Sequence, residues 1–149
     1  MSFIIRKAEN EDISQIAELL GLLFSSEHEF SANINLQKNG ITDIISNPAK
    51  GEFIIIEKDS IVIGTITILY TVSTALGGKA AIFEDFFIKK EFRNQGFGKK
   101  LFSFVMDYVQ KKGCLRITLL TDFDNLPAQN FYKSMGFFKS EMIPMRFIF

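Results

Sequence analysis

Apolar residues recur along the chain with two different periods, and the switches between them mark its elements. Phe3–Lys7 reads as a short strand. Ile13, Ile16, Ala17, Leu20, Leu23 and Phe24 then follow an i, i+3, i+4, i+7 series, a helix that Asn10 stands in place to cap. After the polar loop Ser25–Glu29, residues 33–46 predict a second helix through Ile34, Ile41, Ile44 and Ile45, stopped at Asn47–Pro48.

The middle of the chain changes to the two-residue repeat. Glu52–Glu57 carries Phe53, Ile54, Ile55 and Ile56, and Lys58–Ser60 turns it into a run in which Gly64, Ile66, Ile68 and Tyr70 alternate with Thr65, Thr67 and Leu69. That alternation predicts a strand with one better-buried face. Gly77–Gly78 leads into a third strand, Lys79–Lys89, and the short connections make the three an antiparallel meander.

Beyond residue 93 the helical period returns. Leu101, Phe104, Val105 and Tyr108 form a stripe that Gly113 closes, and the β-branched run Leu115–Thr121 follows. Pro127 fits the first turn of a short helix that ends at Gly136, and the tail 137–149 predicts two strands around Pro144. The order β-α-α-β-β-β-α-β-α-β-β is that of an α/β fold: a mixed twisted sheet with helices on both faces. The segment 79–121 reads as a crossover joining parallel strands. No repeat, linker or low-complexity tract interrupts the 149 residues, so one domain over 1–149 is expected.

Composition narrows the chemistry. The 17 basic and 17 acidic residues cancel, which argues against a general attraction to nucleic acid. One cysteine, Cys114, and one histidine, His28, exclude an internal disulfide and offer no metal-ligand spacing, so no metal is expected. Cys114 opens a strand and reads as a small buried hydrophobe; no activating neighbour marks it as a nucleophile. No apolar stretch approaches the ~20 residues that span a bilayer, and a soluble cytoplasmic protein is expected. The 17 Phe residues point to an aromatic core and to a sticky face; with the apolar tail they suggest a homodimer contact.

Arg93-Asn94-Gln95-Gly96-Phe97-Gly98 lies between a strand and an amphipathic helix. Glycines there let unpaired amides face one point at the helix N-terminus, where the partial positive charge favours phosphate. The glycines could equally be a plain connection. A P-loop is ruled out because no Lys-Ser/Thr follows them, and the first glycine of a dinucleotide fingerprint is replaced by Asn94.

The R/Q-x-x-G-x-G/A pattern after a strand resembles the acetyl-CoA motif of the GNAT superfamily of N-acetyltransferases, matched at Arg93, Gly96 and Gly98. The run Ile82–Ile88 resembles the strand before that motif. Asn125, Ala128, Phe131-Tyr132 and Gly136-Phe137 resemble the family's downstream helix and strand. The resemblance implies an acetyl-CoA-dependent enzyme that acetylates a primary amine. It implies that the backbone of Phe86 and Ile88 pairs with the pantetheine arm, that the amides of Gln95, Gly96, Phe97, Gly98 and Lys99 hold the pyrophosphate, and that Arg93 and Asn94 belong to the same cofactor site. Asn125 would touch the cofactor, and Tyr132 would sit beside its sulfur.

The reaction is attack by a neutral amine on a thioester. A lysine-like amine of pKa about 10.4 is neutral only about one part in 2,500 at pH 7, a cost of roughly 4.6 kcal/mol, whereas an α-amine near 7.8 costs about 1 kcal/mol. A base therefore matters most for the first class. Glu84, alternating with Ile82, Phe86 and Ile88 on one strand face, is the expected base, and Asp85 on the other face reads as structural. Tyr132 is the expected acid, with a core aromatic as the alternative. Glu27, His28 and Glu29 border the acceptor end by the same resemblance and suit a cationic amine; an ordinary solvated turn is the alternative. The expectation is direct transfer to a small cationic amine in a ternary complex. Two others stay open: acetylation of protein N-termini or lysines, and a non-catalytic acyl-CoA-binding domain.

Overall fold

Phe53, Ile54, Ile55 and Ile56 are all buried, and consecutive strand residues point to opposite faces, so this strand lies between two layers. It is β2 (Gly51–Lys58) of a five-stranded sheet in the computed structural model, which describes residues 2–149. The others are β1 (Ile4–Lys7), β3 (Ile61–Ser73), β4 (Gly78–Ile88) and β5 (Ile117–Leu119), in the order β1-β2-β3-β4-β5. The first four pair antiparallel, and β4 pairs parallel with β5. Helices α1 (Ile13–Phe24) and α2 (Ile34–Ile45) cover one face through Ile16, Leu19, Leu20 and Ile41 against Phe53, Ile55, Val62 and Phe87. Helices α3 (Phe97–Lys111) and α4 (Leu126–Ser134) lie on the other: Leu101, Phe102, Val105 and Val109 pack on Ile54, Ile56, Ile66 and Ile68, with Phe131 and Tyr132 against them. The expected α/β layering and the parallel crossover are both present.

Four expectations need correction. Thr65 and Thr67 are as buried as Ile66 and Ile68, because helices cover both faces of β3. Asn10 does not cap α1: it starts a single tight turn, and Glu9 and Asp12 form a reciprocal capping box there. The run 115–121 yields only three strand residues. The tail 137–149 forms no strand, since none of the described residues pairs with it. Among the described residues, no helix is long and apolar enough to cross a membrane.

A buried carboxylate on β2 ties β1, β3 and the C-terminal end of α3 together. Glu52 accepts hydrogen bonds from Tyr70, from Tyr108 Oη at 2.9 Å and from Lys112 Nζ at 2.9 Å, and pairs with Lys7 Nζ at 3.2 Å. Burial pushes the carboxyl up, but these partners outweigh it and bring its pKa down to about 2.

Candidate active site

A cleft of about 670 Å³ opens where β4 and β5 diverge beyond their three paired residues, between the start of α3 and the face of α4. One end is the loop before α3. Asn94 and Gly96 take left-handed backbone angles, φ 60° and 84°, and Gly96 closes the turn into the helix. The amides of Gln95 through Lys99 find no backbone acceptor within the described residues, the first helical bond of this turn being Lys100 N–H to the Gly96 carbonyl at 3.1 Å. Bare donors at a helix start form an anion site, and Lys99 adds charge.

Not every residue of the expected cofactor site turns its side chain to the cleft. Arg93, Asn94, Gly96, Gly98 and Lys99 border it, as do Phe86, Ile88, Asn125 and Tyr132. Phe97 turns its side chain into the core, edge-on to Phe3 and Phe92, so only its backbone is available. Gln95 Nε2 donates back to the Glu91 carbonyl at 2.9 Å. Arg93 Nε donates to the Ile88 carbonyl at 2.8 Å, with its guanidinium 5.0 Å from the Phe87 ring centre. It thereby latches the loop to the end of β4 and takes up part of the carbonyl expected to pair with pantetheine. Asn125 Oδ1 caps α4 by accepting from Ala128 N–H at 3.2 Å, which leaves its NH₂ for a ligand.

Acidic residues gather at the other end. Glu27, Glu84, Asp85 and Asp122 line the cleft together. Glu84 and Asp85 are neighbours in β4 and would face opposite ways in a regular strand. Asp85 has φ 52°, and the pairing slips there: Thr67 is opposite Glu84 and Thr65 opposite Phe87, so a single residue, Ile66, faces Asp85 and Phe86 together. This β-bulge inverts the alternation. Phe83 packs on the α3 side, yet so do Phe86 and Ile88, while Phe87 turns to α1. The expected face shared by Glu84, Phe86 and Ile88 therefore does not exist: Glu84 is exposed, with Phe86 and Ile88 on the opposite face. Asp tolerates the left-handed region better than most residues, which allows the bulge without glycine.

Asp85, expected to be structural, is the more enclosed of the two. Among the described residues its carboxylate has no hydrogen-bonding side chain or ion-pair partner, and burial, followed by the charges of Glu84 and Glu27, pushes its pKa up to about 7. Glu27 is raised as well, by burial first and then by Asp122, Glu29 and Glu84; its Oε2 is buried without a partner among the described residues. His28 and Glu29 point elsewhere. His28 Nε2 donates to Asp124 at 3.2 Å, and Glu29 pairs with Arg146 at 3.0 Å. His28, Asp122 and Asp124 present side-chain atoms within 4.8 Å of one another, a grouping their positions in the sequence do not announce. Tyr132 sits between the two ends against Phe86, Phe102 and Phe137, and burial raises its phenol to about 12.

The family described as "Acetyltransferase (GNAT) family" matches residues 13–137. A possible acetyltransferase from Clostridium difficile 630 superposes with a TM-score of 0.89 at 18% identity, over 100% of this chain and 99% of that one. AAC(6')-Iy in complex with the bisubstrate analog CoA-S-monomethyl-acetylneamine superposes with a TM-score of 0.82 at 17% identity, over 99% of each chain. By sequence, N-alpha-acetyltransferase 30 of Schizosaccharomyces pombe is 40% identical over 50 residues. That stretch is 34% of this chain and 33% of the relative, so the two share only about a third of their length.

Proposed function

The chain belongs to the GNAT family of acetyltransferases, and from that premise we propose that it moves the acetyl group of acetyl-CoA to a small cationic primary amine by direct attack. The observation that carries this reading is the polarity of the cleft. Bare amides, Arg93 and Lys99 lie at one end, Glu27, Glu84, Asp85 and Asp122 at the other, and Tyr132 between.

Acetyl-CoA fits this arrangement and supplies the thioester carbonyl. The amides of Gln95–Lys99 would hold its pyrophosphate, with the Phe86–Ile88 backbone and Asn125 along the arm. Glu84 and Glu27 hold the positive charge of the acceptor near the reacting carbon. Asp85, rather than Glu84, takes the ammonium proton: burial and the surrounding charges raise its pKa to about 7, which makes it a base near neutrality. The amine nitrogen then bonds to the carbonyl carbon, the C–S bond breaks, Tyr132 Oη gives its proton to the departing sulfur, and the second proton shed by the nitrogen returns to the Tyr132 oxygen. A phenol of pKa about 12 is fully protonated at pH 7 and ready to donate. No covalent enzyme intermediate is required, since Cys114 lies outside the cleft.

An acceptor screen read as free thiol from acetyl-CoA tests this across polyamines, aminoglycosides, amino acids and peptides. Fastest turnover with di- and triamines is expected. The 50-residue likeness to N-alpha-acetyltransferase 30 favours a second reading, transfer to protein N-termini. Turnover confined to peptides with a free α-amine would replace the first reading with the second.

A further inference from the structure

We propose that His28 determines acceptor specificity from outside the cleft: its imidazole bonds Asp124 and closes a strap across the acid end that admits slender amines and turns away broad ones. The selection rests on the small-amine reading above; the strap itself does not, since neither side chain lines the cleft.

Two loops meet at the acid end. The loop after α1 brings Glu27 and the loop after β5 brings Asp122. One residue past Glu27, His28 Nε2 lies 3.2 Å from each Asp124 oxygen, and its ring stands 6.3 Å from that of Phe123. Behind the cleft the two loops share one framework, because α1 packs in one core with Phe87 of β4 and β5 pairs with β4. The His28–Asp124 contact therefore completes a ring of chain that runs from β4 through α1, the strap and β5 back to β4. Glu84 and Asp85 lie inside it with Glu27 and Asp122. Acetyl-CoA takes the other end of the cleft, so an amine reaching Asp85 passes through this ring.

The two sides of the ring are unequal. On the β5 side, Gln129 Nε2 donates to the Asp122 and Phe123 carbonyls at 3.2 and 3.0 Å, and Asn125 N–H donates to the Asp122 carbonyl at 3.1 Å. That loop is fixed on α4. On the α1 side, the last backbone bond of the helix end is Glu27 N–H to the Phe24 carbonyl at 3.3 Å, and the amides of residues 28–32 find no acceptor among the described residues. Side chains alone hold this loop: His28 on Asp124, Glu29 on Arg146 at 3.0 Å, and Phe30 against Phe24. Glu27 and Asp122 meanwhile repel; burial first, then the charge of Asp122, raises the Glu27 carboxyl. Repulsion inside and a fastening outside make a ring that opens at one place. The His28 and Asp124 side chains are 60% and 51% exposed, and such a pair holds its closed state by a factor of about five at most.

The strap has a test that needs no acceptor. His28 is the single histidine of the chain, so its ring nitrogens give unambiguous signals in a heteronuclear NMR spectrum of labelled protein. Asp124→Ala should move the Nε2 signal, and a signal indifferent to it overturns the strap. Selection is read as the ratio of kcat/KM for putrescine to that for bis(aminomethyl)cyclohexane, two primary diamines of different girth. Asp124→Ala should lower this ratio about fivefold and His28→Ala at least as much. The double variant should match His28→Ala alone, because one contact carries both effects. His28→Gln, whose amide still donates to Asp124, should stay within about twofold of the wild type. The rise in Tm given by acetyl-CoA checks that each variant is folded. If only peptides are acetylated, the small-amine reading falls, and the same ratio is taken between peptides that begin with glycine and with tryptophan. Ratios unmoved by the variants, or losses that multiply in the double variant, overturn the proposal.

Discussion

Glu84 and Asp85 are consecutive residues of one strand, yet both border one cleft, because Asp85 takes φ 52° and the β3–β4 pairing slips by one residue beside it. The bulge sets an exposed carboxylate next to a more buried one, and buried acids resist ionisation. Two adjacent acids in different environments can divide the work of holding a cation and accepting its proton.

That division is testable by kinetics. Asp85→Asn should lower turnover with a high-pKa amine by roughly 10²-fold or more and remove the acidic limb of the pH–rate profile, which the raised pKa of about 7 places near neutrality. An α-amine acceptor should suffer less. Glu84→Gln should mainly raise KM for dicationic acceptors. An unchanged acidic limb in Asp85→Asn would return the proton to Glu84.

The same shift has a consequence for folding. Asp85 rises from 3.8 to about 7, so between these pH values the folded chain keeps a proton that the unfolded chain has lost. Stability from this group is full below about pH 3.8 and is lost as pH rises through about 7. Asp85→Asn should therefore raise the Tm at pH 8 and change it little at pH 4. Equal changes at the two pH values would refute a raised native pKa.

Most of the layering was legible from period alone, because helix stripes and isoleucine-rich strands reflect burial directly. The bulge was not. Ile82, Glu84, Phe86 and Ile88 alternate perfectly on paper, and only the left-handed angle at Asp85 shifts Phe86 and Ile88 to the other face. The side-by-side acids were the available sign, since a regular strand would bury one of them against a helix. The tail misled for a different reason. Its two-residue repeat is real, but a strand also needs a neighbour, and pairing is not written in a single segment. Of the loop residues at the acceptor end, Glu27 reaches the cleft, while His28 and Glu29 are drawn off by Asp124 and Arg146, partners 96 and 117 residues away.

Glu52 gives the opposite sign of pH dependence. Its carboxyl falls from 4.5 to about 2, so its stabilisation is present above about pH 4.5 and is lost as pH falls through about 2. Replacing it with alanine strands Lys7, Lys112, Tyr70 and Tyr108 and should cost about 3–5 kcal/mol. Urea denaturation at pH 7 measures this, and a loss below 1 kcal/mol would show that water replaces the carboxylate freely.

Gly98 tests the cofactor end. A Cβ there would stand 3.4 Å from the Phe86 ring tip and 3.6 Å from Ile88 Cγ1, so alanine is tolerated while the branches of valine project into the cleft. Gly98→Val should abolish the Tm increase given by acetyl-CoA and leave the apo Tm nearly unchanged. Retained stabilisation by the cofactor would move its site elsewhere.

Tyr132 carries the last prediction. Its ring packs on Phe86, Phe102 and Phe137, contacts that Tyr132→Phe preserves, while its hydroxyl has no protein partner among the described residues. Removing the oxygen therefore leaves no buried group unpaired and should not lower the Tm. If the phenol protonates the departing sulfur, the variant should bind acetyl-CoA as the wild type does and turn over roughly 10²-fold more slowly. Adding Asp85→Asn should then cost less than the product of the two single losses, because both groups serve one transition state. A variant with full turnover, under conditions where chemistry limits the rate, would leave Tyr132 as a wall of the cleft and the sulfur to be protonated by water.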